Sequence, residues 1–149
     1  MDGVRPSGNA SILFVAEQLA AMVGDRQAHE AVTKALHGRR DLLERAGLEM
    51  GAWMQLGLRM LKPSYEVVIS GASDDAATQR LIKAMHHRLP PNVVRAQLGP
   101  EGADAETLKW LPALAGKKAV DGKATAYVCT LGACKMPTQD ADSLLKQIQ

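Results

Sequence analysis

Tyr65-Glu66-Val67-Val68-Ile69-Ser70-Gly71 is where the chain changes its hydrophobic period. Upstream, apolar residues recur every three or four positions. Here Glu66 to Ser70 is a short β-branched run with Pro63 before it and Gly71 after it, the pattern of a buried strand in a parallel sheet. Gly71-Ala72-Ser73-Asp74 reads as a turn carrying a helix cap, residues 76–89 as a helix that Pro90-Pro91 stops, and Val93 to Leu98 as a second strand. Residues 66–98 thus predict a strand–helix–strand unit with a right-handed crossover.

Further along the chain, residues 99–122 are loop-rich, with a short helix expected at 106–111. Residues 124–129 read as a third strand, Leu131-Gly132-Ala133 as a turn and Cys134-Lys135-Met136 as a brief return segment. Thr138 or Asp140 is expected to open a last helix through Ile148. On the other side of the period change, the chain is helical. In residues 9–23 the apolar positions Ile12, Leu13, Val15, Ala16, Leu19, Ala20 and Val23 make one broad face, with Ser7 or Asn9 as cap and Gly24 as left-handed stop. Asp25 caps a second helix bearing Ala28, Ala31, Val32, Ala35 and Leu36, and so short a link makes a helical hairpin. A third helix over 48–61 is apolar around much of its girth, with Pro63 as its end.

The fold class expected is α/β or α+β: a helical hairpin and third helix over residues 1–63, then a small, mainly parallel three-stranded sheet with flanking helices over 64–149. The helical part carries more apolar surface than such a sheet can cover, so it is expected either to be cut from a larger helical array, with the missing segment as its cover, or to be covered by a partner, most simply a second copy of the chain. At 149 residues the chain can bury about 68–70% of its unfolded surface, enough for a core without a metal or disulfide framework. Its 18 basic against 16 acidic residues argue against a nucleic-acid partner. The longest apolar stretches are interrupted by Ser11, Glu17 and Gln18, so no membrane span is expected, and the first eight residues lack the basic and apolar regions of a signal peptide. A cytoplasmic location is the resulting expectation.

Few residues suggest chemistry. Cys129 falls at a strand end and Cys134 just across a tight turn, within disulfide or metal-ligand reach if that turn is a hairpin; in a cytosolic chain reduced thiols are the first expectation, with a redox switch or a zinc site completed by His86 or His87 as alternatives. The turn 70–74 sits where a helix N-terminus could cradle an anion, with Ser73 as the ligand-binding candidate. It lacks spaced glycines and a P-loop lysine, and Asp74 would repel phosphate, so capping is the stronger reading. Lys109, Lys117, Lys118 and Lys123 are interspersed with acids and read as a solvated face. No catalytic residue, cofactor or metal is assigned.

Four stretches together resemble one family: residues 2–9, Asp2-Gly3-Val4-Arg5-Pro6-Ser7-Gly8-Asn9; residues 65–71; Leu89-Pro90-Pro91-Asn92-Val93-Val94; and Ala126-Tyr127-Val128-Cys129 with Cys134 and Pro137. They are similar to the C-terminal end of the thioredoxin-domain proteins related to spermatogenesis-associated protein 20. That family carries a thioredoxin-like domain, an (α/α)6 barrel similar to N-acylglucosamine 2-epimerases and six-hairpin glycosidases, and a short α/β tail. The resemblance implies that residues 1–63 correspond to the last barrel helices and 64–149 to the tail, so that the chain is a fragment or truncated relative. The family's thioredoxin cysteine motif has no counterpart here. The resemblance offers Ser7 and Asn9 as hydrogen-bonding residues for a small carbohydrate; it leaves structural or interaction duty as the leading role for the chain itself, with a carbohydrate-acting enzyme of the epimerase or glycosidase type, which would need the rest of the barrel or an oligomer, as the alternative.

Overall fold

A computed structural model describes residues 5–61, 64–87, 92–130 and 133–148. The expected breaks at Pro63, at Pro90-Pro91 and at Leu131-Gly132 lie outside the described residues. The chain divides into two compact units, residues 1–63 and 64–149.

The first unit is helical. Helix α1 (Gly8–Val23) starts at Ser7, whose Oγ accepts the Ala10 N–H at 3.3 Å, and stops at Gly24, which takes the left-handed conformation at φ 72°. Asp25 then opens α2 (Arg26–His37) by accepting the Ala28 N–H at 2.9 Å. Asn9 lies inside α1 rather than at its cap. The sequence reading passed over α3 (Arg40–Ala46), a short helix that brings Leu42, Leu43 and Ala46 onto the helical core. The expected third helix begins as a 3₁₀ turn, Gly47–Met50, and continues as α4 (Gly51–Met60). Ala10, Val32, Met50, Trp53 and Leu56 form the buried centre of this unit.

The broad apolar face expected for α1 is divided between core and surface: Ala20 is buried and Leu13 and Ala16 pack against the core. The helix's inward stripe runs through Ala10, Glu17 and Ala20, whereas Ile12, Val15, Leu19 and Val23 are 69%, 54%, 54% and 40% exposed. Both sides of α1 are apolar, and the three- to four-residue period fits either; packing against α2 and α4 selects the side with small Ala10 and Ala20, where helices can approach closely. Helix α4 is similar: Trp53, Leu56 and Arg59 point inward, while Met54 and Leu58 stay exposed.

In the second unit, β1 (Tyr65–Ser70) and β2 (Val93–Leu98) flank α5 (Ala76–His87) in sequence and pair in parallel, as the strand–helix–strand reading requires. The α/β class holds, but the sheet has four strands and is mixed. Its order is β2-β1-β3-β4, and β3 (Thr125–Thr130) and β4 (Ala133–Cys134) each pair antiparallel. The reason lies in the connection between β2 and β3. Residues 99–124 contain α6 (Ala105–Trp110) and a 3₁₀ turn, Pro112–Leu114, laid on one face of the sheet, so the chain re-enters beside β1 from the opposite end.

Each face of the sheet has its own core. Val67, Ile69, Ala126 and Val128 pack with Leu81 and Met85 of α5 and with Leu144 of α7 (Ala141–Gln147). On the other face, Val68 and Tyr127 pack with Leu114, with Leu108 and Leu111 beside them. Two bonds pin the covering loop there: Ser70 Oγ donates to the Lys117 carbonyl at 3.1 Å, and Tyr127 donates its hydroxyl to the Lys118 carbonyl at 2.7 Å. Gly71 ends β1 where a Cβ would collide with Thr78 Oγ1 and press on Ala124, so a side chain is excluded by close approach.

Helix α5 is capped by Asp75 rather than by Ser73 or Asp74: its carboxylate accepts both the Thr78 N–H, at 3.0 Å, and the Thr78 hydroxyl, at 3.1 Å. Asp104 and Asp140 do the same for α6 and α7, through the N–H groups of Thr107 and Ser143. In each case N–H donation holds the carboxyl below its usual range. A carboxyl lowered in the folded state stabilises above its unfolded pKa, and the benefit goes as pH falls through the folded value. The melting temperature is therefore expected to drop from about pH 4 downward. A triple variant D75N, D104N, D140N, which can still cap but cannot titrate, should show a shallower drop by circular dichroism; parallel curves for the two proteins would contradict this assignment.

Candidate functional sites

The helical unit holds Ser7 and Asn9 at the start of α1. Ser7 Oγ also accepts the indole Nε1–H of Trp53, at 3.0 Å, tying the first turn of α1 to α4. Exposed Asn9 lines an open cavity of about 410 Å³ with Ile12, Leu13, Ala35, Arg39 and Trp53. The Arg39 guanidinium lies over the Trp53 ring, 5.7 Å from its centroid, and Trp53 is 5% exposed. A sugar stacking on that indole would first have to move Arg39. Ser73 is placed in the other unit, in an exposed turn whose carbonyl accepts from Gln79 Nε2.

Behind the inward face of α1 is a polar cluster that the apolar pattern concealed. Glu17 is 3% exposed, and both its carboxylate oxygens lie within 3.0 Å of His29 Nδ1 on α2. Arg59 of α4 is 1% exposed and sets its guanidinium over the Phe14 ring at 5.7 Å; burial lowers its pKa and the negative charge of Glu17 opposes that shift. The available signal was positional: Glu17 falls on the seven-residue repeat from Ala10, and a charge on the inward stripe calls for a partner.

In the strand unit, Cys129 and Cys134 are joined as a disulfide rather than standing as two reduced thiols. The cause is register. Cys129 lies directly opposite Cys134, and the neighbouring bond from Lys135 N–H to the Val128 carbonyl, at 2.9 Å, makes theirs the non-hydrogen-bonded position of the ladder. Side chains are closest at such positions. Cys129 is 1% exposed on a central strand, while Cys134 stands exposed on the edge strand. His86 is exposed on α5, the His87 side chain lies outside the described residues, and among the described residues no three His, Cys, Asp or Glu side chains gather as metal ligands.

The same register extends the row. Glu66 of β1 is opposite Cys129 on one side and Val94 of β2 on the other, so Val94, Glu66, Cys129 and Cys134 cross the sheet in line on one face. Burial raises the pKa of Glu66, and the positive charge of Lys117, on the loop covering that face, acts in the opposite direction. Sequence reasoning passed over Glu66 as an ordinary strand residue, because its neighbours in space come from two separate pairings.

No protein-family model matches the chain, and neither a curated protein nor a solved structure gives a significant match. Among the described residues no helix is long and apolar enough to cross a membrane.

Proposed function

We propose that the chain is a structural and interaction module, whose helical unit associates through the outer face of α1 with the same face of a second copy. The observation that carries this reading is the stripe Ile12, Val15, Leu19 and Val23, which recurs at spacings of three and four and remains exposed. Its composition favours a like partner. The one charged residue between Gly8 and Val23 is Glu17, and it points inward, so two copies related by a two-fold axis bring no like charges together. Size-exclusion chromatography with light scattering tests the proposal. A dimer mass at tens of micromolar supports it; a monomer mass at that concentration, or a larger open-ended assembly, refutes it.

A second reading, that Cys129 and Cys134 act as a thiol redox couple, is favoured by their cross-strand pairing at an accessible sheet edge. It predicts that intact mass rises by two hydrogens on treatment with a dithiol and falls again on mild oxidation, with the fold retained. A mass unchanged by dithiol treatment would rule it out.

A further inference from the structure

We propose that Glu66 is the proton partner of the Cys129 sulfur when the Cys129–Cys134 bond opens and closes. The inference rests on the reading of the pair as a redox couple and adds the group that moves the proton. An incoming thiolate can approach Cys134, which is exposed at the sheet edge, but not Cys129, which is 1% exposed in the sheet. Attack therefore falls on Cys134 Sγ and makes Cys129 the leaving group. The departing sulfur receives the bonding electron pair at a site that water does not reach, where a bare thiolate is costly. A proton has to be supplied at that point, and Glu66 is the titratable side chain directly opposite in the row, on the same face of the sheet.

The step balances with a dithiol as reductant. Its thiolate bonds to Cys134 Sγ, the Sγ–Sγ bond breaks, and Cys129 Sγ takes the proton of the Glu66 carboxyl. The second thiol of the reductant then displaces Cys134 and closes the reductant's own disulfide. The protein has gained two electrons and two protons, and Glu66 recovers its proton from solvent. In the reverse direction the Glu66 carboxylate removes the Cys129 proton so that the thiolate can attack. Lys117 is the charged group that acts on Glu66 from the covering loop; the flanking positions of the row, Val94 and Cys129, carry no charge. Burial outweighs the positive charge of Lys117, so the carboxyl holds its proton more tightly than an ordinary glutamate.

The test uses the full chain, reduced by dithiothreitol over a pH series and followed by intact mass. With the rate divided by the concentration of reductant thiolate, the wild type is expected to slow as pH rises through an inflection raised above that of an ordinary glutamate. Glu66→Gln should lose the inflection and react about ten-fold more slowly below it, and Glu66→Asp should restore the inflection. Equal profiles for the wild type and Glu66→Gln would overturn the proposal while leaving the redox couple standing. Absence of any two-hydrogen mass change would instead remove the couple itself. If Glu66→Gln does not fold, the carboxyl ¹³C shift of Glu66 in the wild type decides: its titration midpoint should differ between oxidised and reduced protein, and equal midpoints would overturn the proposal.

Discussion

Leu56→Ala is expected to remove most of the stability of the helical unit, leaving a large share of it unfolded at room temperature. Leu56 is 0% exposed at the centre of a cluster whose members all lie between Ala10 and Met60. Removing its side chain costs about 2–5 kcal/mol in lost burial and residual cavity. A core built from some sixty residues supplies only about 3–5 kcal/mol in total, so the substitution consumes most of it. The two tryptophans provide the measurement. Trp53 is buried in the same cluster at 5% exposure, whereas Trp110 in the strand unit is already 75% exposed. The variant should therefore show a red shift of tryptophan emission that comes from Trp53, while amide exchange in β1 and β3 stays slow. Blue-shifted emission and an unchanged denaturation midpoint would show that the cluster does not hold the unit together.

The second large effect is on association. Ile12→Glu combined with Leu19→Glu puts two carboxylates into the proposed two-fold contact, and each occurs twice in a dimer. Burying a charge that has no partner costs several kcal/mol, so the dissociation constant should rise by at least about a hundred-fold. The fold should be unaffected, because both side chains are more than half exposed in the single chain. Sedimentation velocity should then show a monomer for the variant under conditions where the wild type is dimeric. Equal sedimentation of the two would separate this face from any self-association and defeat the proposal.

These two predictions fall on positions that the sequence reveals to different degrees. The β1 run was legible because Val67, Val68 and Ile69 are β-branched and bounded by Pro63 and Gly71, and the parallel partner β2 followed from the helix between them. The direction of β3 was not legible. It depends on where residues 99–124 leave the chain after crossing one sheet face, and loop composition does not encode that path. The period of α1 showed that it is a helix but not which side lies inward, since Ile12 and Leu19 are as apolar as Leu13 and Phe14. Glu17 marked the answer only once its contact with His29 was known. At the thiol pair, spacing brought Cys129 and Cys134 together, but Glu66 joins them through pairing with a strand about sixty residues away, a contact set by tertiary topology rather than by local pattern.

That distance also bears on synthesis. β1 is an inner strand whose two hydrogen-bonding edges are closed by β2 and by β3, and β3 leaves the ribosome about sixty residues later. Until then Val67-Val68-Ile69, a short uncharged run of strong β-formers, has one edge open. At a synthesis rate of about 5–20 residues per second the wait lasts several seconds, long enough for two nascent chains on one message to meet. A shorter connection between β2 and β3 would shorten the exposure, so the covering loop sets how long the growing chain is vulnerable as well as the direction in which the sheet is completed.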